Sequence, residues 1–576
     1  MSEKCRKILA SVGAVVLIVL ISIAIADIHK KGVYDSTMEF NHGWTLIFHE
    51  DTTKIESTGN YQFAKKIAKG DSLILRRKLT SNFPANPTLR FKTYLSFVEA
   101  YLDGRLLYSS GKKDFRNGVP VGSGIHFVNL GATSLEGKTL DFVFHFSENS
   151  TWNELPAFEV LPAKNAFSDF YAQHSVSLVV GAFLLLFGIL TVFLSVGMAF
   201  YGLAFFRILM IGILANCLGV WTLCYTKLIQ LFSFDFAFNT SLEYFSLYLA
   251  PLPLCLLLAH MCYNRINKYR WHGLVFLAFV NTLLVVVTTV LNFTNLVHYP
   301  NTLRLFHFFA FFCLIYLTFI GISDRKKLDA PTKILAAGVS LFGAVSVFEL
   351  LRYYLTTQFH LDYTLLKMTW LPIGTLAFVI LLGLSYIVYM YYLLTEKTKK
   401  DILSKIAYQD SLTDLYNRAK CQQIFGVLDK GTSDFAIASI DMNGLKLVND
   451  RYGHNEGDRL IKTFANVFHE AFEGIGTTIR MGGDEFVAII RYEHLAEVDA
   501  TLAKMAEIQK NRGADLPIPL EAAFGIAYRH ELIKNEDKTE DKTEDNPTVK
   551  AEKVYQLADE RMYAMKAAMK SELVRR

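Results

Sequence analysis

Long apolar runs constrain this chain more than any other feature: they lie near 175–198, 203–224, 244–262, 272–293, 305–323, 334–355 and 370–394. Each is long enough to cross a hydrocarbon core of about 30 Å as a helix. An earlier run, 8–26, follows Lys4, Arg6 and Lys7 and ends Ala24-Ile25-Ala26. It reads as a retained membrane anchor, with a cleaved signal sequence as the alternative; either one exports the segment that follows. Only 20% of the 576 residues are charged and 52% are hydrophobic, which excludes a disordered chain and an ordinary soluble globule. Seven cysteines are too sparse for a disulfide scaffold.

Charge fixes an expected orientation. Arg265, Lys268 and Arg270 share one short loop, Arg325, Lys326, Lys327 and Lys333 another, and Lys397, Lys399 and Lys400 follow the last run. The loops between are poorer in Lys and Arg, so these clusters are expected in the cytoplasm. Eight crossings then return the C-terminus to the cytoplasm. Residues 1–404 carry 35 Lys+Arg against 25 Asp+Glu, whereas 405–576 carry 24 against 29. The basic excess is therefore an orientation signal, and no nucleic-acid partner is expected.

The chain divides into 8–26, an exported domain at 30–170, a seven-helix domain at 175–394, a helical linker at 395–409 and a cytoplasmic domain at 410–576. The exported part is patterned as β-structure. Leu140, Phe142, Phe144 and Phe146 alternate with Asp141, Val143 and His145. Tyr94–Leu102 reads as a strand, and Asp103-Gly104 as a hairpin turn leading to 106–108. Short strands with turns between them predict a sandwich or jelly roll. Trp44, Tyr101 and Tyr108 are expected in its core. Within the apolar block Glu349 and Arg352 stand at i, i+3 and can satisfy each other, and five scattered cysteines read as packing residues. No chain of acidic residues crosses the block, which argues against ion transport.

The chemistry concentrates after residue 405. An apolar strand, 435–440, ends at Asp441, where α/β proteins present metal ligands. Gly444, Leu445 and Lys446 follow, then Asn449 and Asp458, from which a helix is expected to run. Thr478–Met481 enters a Gly482-Gly483 turn followed by Asp484 and Glu485, predicting a hairpin with acidic residues at its tip. The two glycines let a bulky ligand approach the backbone. Hard carboxylates at Asp441 and Glu485 suit Mg²⁺. Lys446, Lys566 and Lys570 can neutralise phosphate. Gly-Gly-Asp is also an ordinary turn sequence, so the tip alone does not establish catalysis.

Arg480-Met481-Gly482-Gly483-Asp484-Glu485-Phe486 resembles the signature of GGDEF-domain diguanylate cyclases. Asp410–Arg418 is similar to that family's D-x-L-T-x-L-x-N-R opening motif, and Ala558–Lys566 to its closing A-D-x-x-x-Y-x-x-K helix. The resemblance implies a ferredoxin-like α/β fold and a homodimer condensing two GTP into cyclic di-GMP, with Mg²⁺ as cofactor and Mn²⁺ as an alternative. By matching position, Asp441, the Met442 carbonyl and Glu485 would hold metal, with Asp484 beside them in metal binding or 3′-hydroxyl activation. Asn449 and Asp458 would read guanine. The backbone at Gly444, Leu445 and Lys446 would cradle phosphates, helped by Lys566 and Lys570. A GGDEF domain kept only to bind GTP or to dimerise is the first rival reading, and a transporter with a regulatory tail the second.

Departures from the family pattern are specific. Glu473-Gly474-Ile475-Gly476 stands where an R-x-x-D product-inhibition site is often found, so that site is not expected. Asn443 replaces a common Asp, and Lys570 a common Arg. Residues 531–550, rich in Glu, Asp, Lys and Thr, read as a disordered insert, and Cys421 as a buried packing residue. The front half resembles seven-transmembrane receptors with diverse intracellular signalling modules, its β-domain resembling galactose-binding-type jelly rolls. That implies an extracellular small-molecule or carbohydrate ligand.

Overall fold

The computed structural model describes residues 38–49, 51–58, 61, 67–80, 83–84, 86–131, 134–149, 155–359, 370–513, 516, 518–536 and 549–575. The apolar run 8–26 lies outside them. The chain separates into two compact units, 1–391 and 392–576.

The first unit begins with two antiparallel sheets. One has four strands, containing Pro87–Thr93 and Gly124–Asn129, and the other six, centred on Ser72–Lys78, Thr139–Phe146 and Ser96–Leu102. Both sheets contribute to one core: Leu89, Phe91 and Val128 from the first meet Leu73, Phe142 and Phe144 from the second. The strict alternation over Thr139–Phe146 buries every second residue, because successive side chains of a strand point to opposite faces. The strand expected from Tyr94 begins at Ser96, since Leu95 adopts a left-handed conformation that ends the previous pairing. Trp44 is fully buried and donates its indole N–H to the Phe40 carbonyl.

Seven helical stretches follow that are long and apolar enough to cross a membrane: Ser175–Phe200, Phe206–Tyr225, Phe236–Cys262, Lys268–Phe293, Tyr299–Ser323, Ala330–Glu349 and Leu371–Tyr408. They coincide with the seven later runs, with one difference. The stretch predicted from 244 starts at Phe236, capped by the Asp235 carboxylate on the Phe238 N–H, and is interrupted before Pro251. Its first turns carry Asn239, Thr240 and Glu243, whose polarity hides them from a hydropathy reading. Each has a partner: Asn239 donates to the Ser233 carbonyl, Thr240 accepts from the Ser123 N–H, and Glu243 pairs with Lys227 at 2.7 Å.

The sheets seat directly on the helices. Gln230 accepts from the Ile125 N–H and donates to the Ile125 carbonyl, as a neighbouring strand would. Glu148 is buried against His298 and accepts from Asn301. At Gly122 a Cβ would lie 1.7 Å from the Phe236 carbonyl oxygen, so only glycine permits this approach. Elsewhere in the bundle Arg352 bonds Glu349 at 2.6 Å. Cys255 and Cys313, from different helices, lie 3.5 Å apart at sulfur.

The second unit is a five-stranded sheet in the order Tyr416–Asn417, Gly476–Gly482, Glu485–Arg491, Phe435–Met442, Ala522–Tyr528. The helix His454–Phe472 buries Leu460, Phe464, Val467 and Phe468 against one face, and Ala551–Arg575 packs on the strand Ala522–Tyr528. Two expectations need correction. The helix read as starting at Asp458 starts at His454, because Gly453, at φ 86°, allows a tight turn directly from the helix Leu445–Tyr452. Of the insert read as disordered over 531–550, residues 531–536 belong to the helix Arg529–Glu536, held by Glu531 pairing with Arg561 at 2.7 Å. Val549 is buried, and 537–548 lie outside the described residues. Cys421 is buried, and burial pushes its thiol up to about 12.

Candidate active site

The site stands on one edge of this sheet. Phe435–Met442 is buried at every position and pairs antiparallel with Glu485–Arg491 in a register that sets Asp441 directly opposite Glu485. Directly opposed residues of an antiparallel pair emerge on the same face with Cβ atoms about 5 Å apart. The hairpin tip follows from backbone chemistry. Gly482 and Gly483 have φ of 150° and 54°, which lets the strand reverse over two residues. The Met442 N–H donates to the Asp484 carbonyl at 2.9 Å, tying the tip to the strand end.

Charge at this edge is mostly negative. Burial, followed by the charges of Asp559, Asp441 and Asp484, pushes Glu485 above the usual carboxylate range, with Lys566 opposing. Lys566, on the C-terminal helix, donates to Asp441 at 2.6 Å, and Asp441 is only 6% exposed. Lys570 stands one turn further along that helix, exposed. Among the described residues no three His, Cys, Asp or Glu side chains converge as a metal cage. Two carboxylates in register, crowded by two more and met by one ammonium, nevertheless form a donor set that fits a divalent cation with open positions for substrate oxygens.

Next to the strand end, Gly444 takes φ 81° and starts the helix Leu445–Tyr452, so the N–H groups of Leu445 and Lys446 fall in its first turn, where backbone donors lack intrahelical partners. The Asn449 amide oxygen occupies the space a Cβ on Gly457 would take, 1.9 Å away, which brings Asn449 beside Asp458 across the two-helix turn. The residues singled out from sequence therefore gather in two neighbouring groups: the acidic tip with Lys566, and the 444–458 turn.

Two participants were not singled out. Asp559, which accepts from Ser439 at 3.1 Å, adds its charge to the tip. Arg480 bonds Asp410 at 3.0 Å and the Gly483 carbonyl at 2.8 Å. Both residues fall inside quoted motifs, and the period-2 placement of Arg480 on its strand was the available signal.

The fold and the acidic hairpin define a class, the GGDEF-domain proteins of cyclic di-GMP signalling. Residues 407–572 match the family model described as "Diguanylate cyclase, GGDEF domain", and this segment is a GGDEF domain of that group. The bifunctional diguanylate cyclase/cyclic di-GMP phosphodiesterase MucR of Pseudomonas aeruginosa is 32% identical over 149 residues, 23% of this chain and 22% of that protein. A diguanylate cyclase of Vibrio cholerae is 30% identical over 122 residues, 20% of this chain and 37% of that protein. The chain thus spans well under half the length of these curated relatives. The solved coiled coil and GGDEF domain of DgcB from Caulobacter crescentus, in complex with c-di-GMP, is 22% identical, covering 32% of this chain and 95% of that one at a TM-score of 0.26.

Proposed function

We propose that this protein is a membrane-bound, signal-responsive diguanylate cyclase that condenses two GTP into cyclic di-GMP and two pyrophosphates. The observation that carries the reading is the pairing of Asp441 with Glu485 at a glycine tip, beside a helix N-terminus able to hold phosphate. Asp441, Glu485 and the Met442 carbonyl would hold Mg²⁺, Mn²⁺ being the alternative, which when bound supplies charge neutralisation at the triphosphate and acidifies the 3′-hydroxyl. The N–H groups of Leu445 and Lys446, with the Lys446 and Lys566 ammonium groups, bind the phosphates. Lys566 exchanges its Asp441 contact for one to substrate, and Lys570 lies within reach of the outer phosphates on the same helix face. Asp484 takes the 3′-hydroxyl proton or completes the metal shell.

Asn449 and Asp458 read guanine, because a carboxylate accepts from both N1–H and the N2 amine, which adenine does not offer. Each protomer holds one GTP, so a homodimer is needed for each 3′-oxygen to attack the partner's α-phosphorus and release pyrophosphate. The bundle lies in the membrane, with the β-domain exported as a sandwich sensor for a small molecule or carbohydrate and the GGDEF domain cytoplasmic. The basic clusters at 265–270, 325–333 and 397–400 support that orientation.

The test uses residues 392–576 fused to a dimerising helix and supplied with GTP and Mg²⁺. Cyclic di-GMP should accumulate. GTP binding without product would replace the enzyme by a GTP-binding or dimerising receptor module.

A further inference from the structure

The helix bundle buries a cation for which the described residues supply no counter-charge. Arg207 stands in the first turn of the helix Phe206–Tyr225 and, with Ile211, Met261, Ser385, Tyr386 and Tyr389, lines a cavity of about 10 Å³. That is room for about one water-sized group. The guanidinium lies over the Tyr389 ring, 3.5 Å from its centroid, and its Nε and Nη1 are fully buried with no hydrogen-bond partner. Two unsatisfied donors on one buried cation are costly, so something not among these side chains should complete them.

The neighbouring charges do not. Asp329 and Arg265 are the ionised groups that act on Arg207 along with Tyr389 and Tyr386. Asp329 is already committed to Arg265 and to the Thr332 N–H and hydroxyl. His260, whose ring packs on Phe206, adds no negative charge. The balance around the cavity is positive.

We propose that this cavity is a binding site for one oxygen of a phosphate-type oxyanion, the headgroup phosphate of an anionic phospholipid or a soluble phosphate of the same chemistry. An oxygen seated there accepts from Nε and Nη1 together, the side-by-side geometry in which a guanidinium recognises phosphate. The cavity admits one such atom, leaving the rest of the phosphate at its mouth. Ser385, Tyr386 and Tyr389 belong to the helix Leu371–Tyr408, the last of the bundle, so occupancy acts on the helix that continues into the second unit. The inference rests on the bundle lying in a membrane and is independent of cyclase activity.

The full chain is placed in discs of phosphatidylcholine, with and without added phosphatidylglycerol, at equal ionic strength. Phosphatidylglycerol should raise the thermal midpoint and be retained about tenfold in preference to phosphatidylcholine. Arg207→Gln should match the wild-type midpoint in pure phosphatidylcholine and lose both effects. Inorganic phosphate added to phosphatidylcholine discs separates the sources: reproducing the shift assigns the site to a soluble oxyanion, and failing to do so, while the lipid acts, assigns it to a headgroup. Preference retained in Arg207→Gln, or no response of the wild type to either anion, overturns the proposal and leaves the cavity to water. Should the variant not fold, a photoreactive phosphatidylglycerol must label wild-type peptides containing Ile211 or Tyr386; labelling confined elsewhere also overturns it. A chain that stays in solution without detergent or lipid refutes the membrane reading before any lipid comparison begins.

Discussion

Arg480 and Asp410, 70 residues apart, are joined by a 3.0 Å ion pair, and the same guanidinium holds the Gly483 carbonyl. The chain leaving the helix Leu371–Tyr408 is thereby fastened to the turn that presents Asp484 and Glu485. Asp410 also accepts from the Thr413 N–H and hydroxyl. Burial pushes its carboxyl up, but these bonds and the Arg480 charge hold it below the usual range.

Asp410→Ala is expected to destabilise the second unit by about 1–3 kcal/mol, since it removes a charge-assisted network that is only partly exposed. A depressed carboxyl contributes fully above its unfolded pKa, near 3.9, and loses that contribution as pH falls through the folded value. In urea unfolding of 392–576, the gap between wild type and variant should be widest near neutrality and close below about pH 4. An unchanged gap in acid would remove Asp410 as its source.

Glu485→Ala should abolish cyclic di-GMP formation while leaving the unfolding midpoint of 392–576 within about 0.5 kcal/mol of wild type, because the side chain is exposed. Wild-type turnover would refute its place as a metal ligand. Lys566→Ala should instead raise the KM for GTP, as expected for a lost phosphate contact.

The β-domain should weaken in mild acid. His126 is buried with Thr93 and Tyr108 hydroxyls on its two nitrogens, and burial lowers its pKa from 6.5 to about 3. The unfolded chain therefore takes the proton first. Stability is full above 6.5 and declines as pH falls towards 3, by at most about 1.4 kcal/mol per pH unit. Thermal midpoints of the full chain measured from neutral pH downwards should show this slope, and His126→Phe should flatten it.

Gly122→Ala places a methyl group against the Phe236 backbone. Sheets and helices should part, seen as faster protease cleavage of the β-domain in the full chain. Cleavage at the wild-type rate would mean that the contact yields without cost.

The seven helices were legible because length and hydropathy act locally, and so was the alternating strand Thr139–Phe146. The early turns of Phe236–Leu249 were not, since Asn239, Thr240 and Glu243 look like surface residues until their distant partners Ser123 and Lys227 are in place. The same division runs through the candidate site. The Asp441 strand end and the glycine tip are written in contiguous residues. The Lys566 contact to Asp441 and the Asp559 charge come from a helix more than 100 residues away, and only folding brings them together.

Gly525 lies under that C-terminal helix, where a Cβ would come within 2.2 Å of the Ala558 carbonyl oxygen and the Met562 nitrogen. The helix carrying Lys566 thus rests backbone to backbone on the sheet, with no side chain between to adjust. A single methyl group at this position would lift the helix and withdraw its lysine, though every letter of Gly482–Phe486 stayed as it is. Loss of output in a protein of this kind can therefore be inherited at a residue that no reading of the signature would inspect.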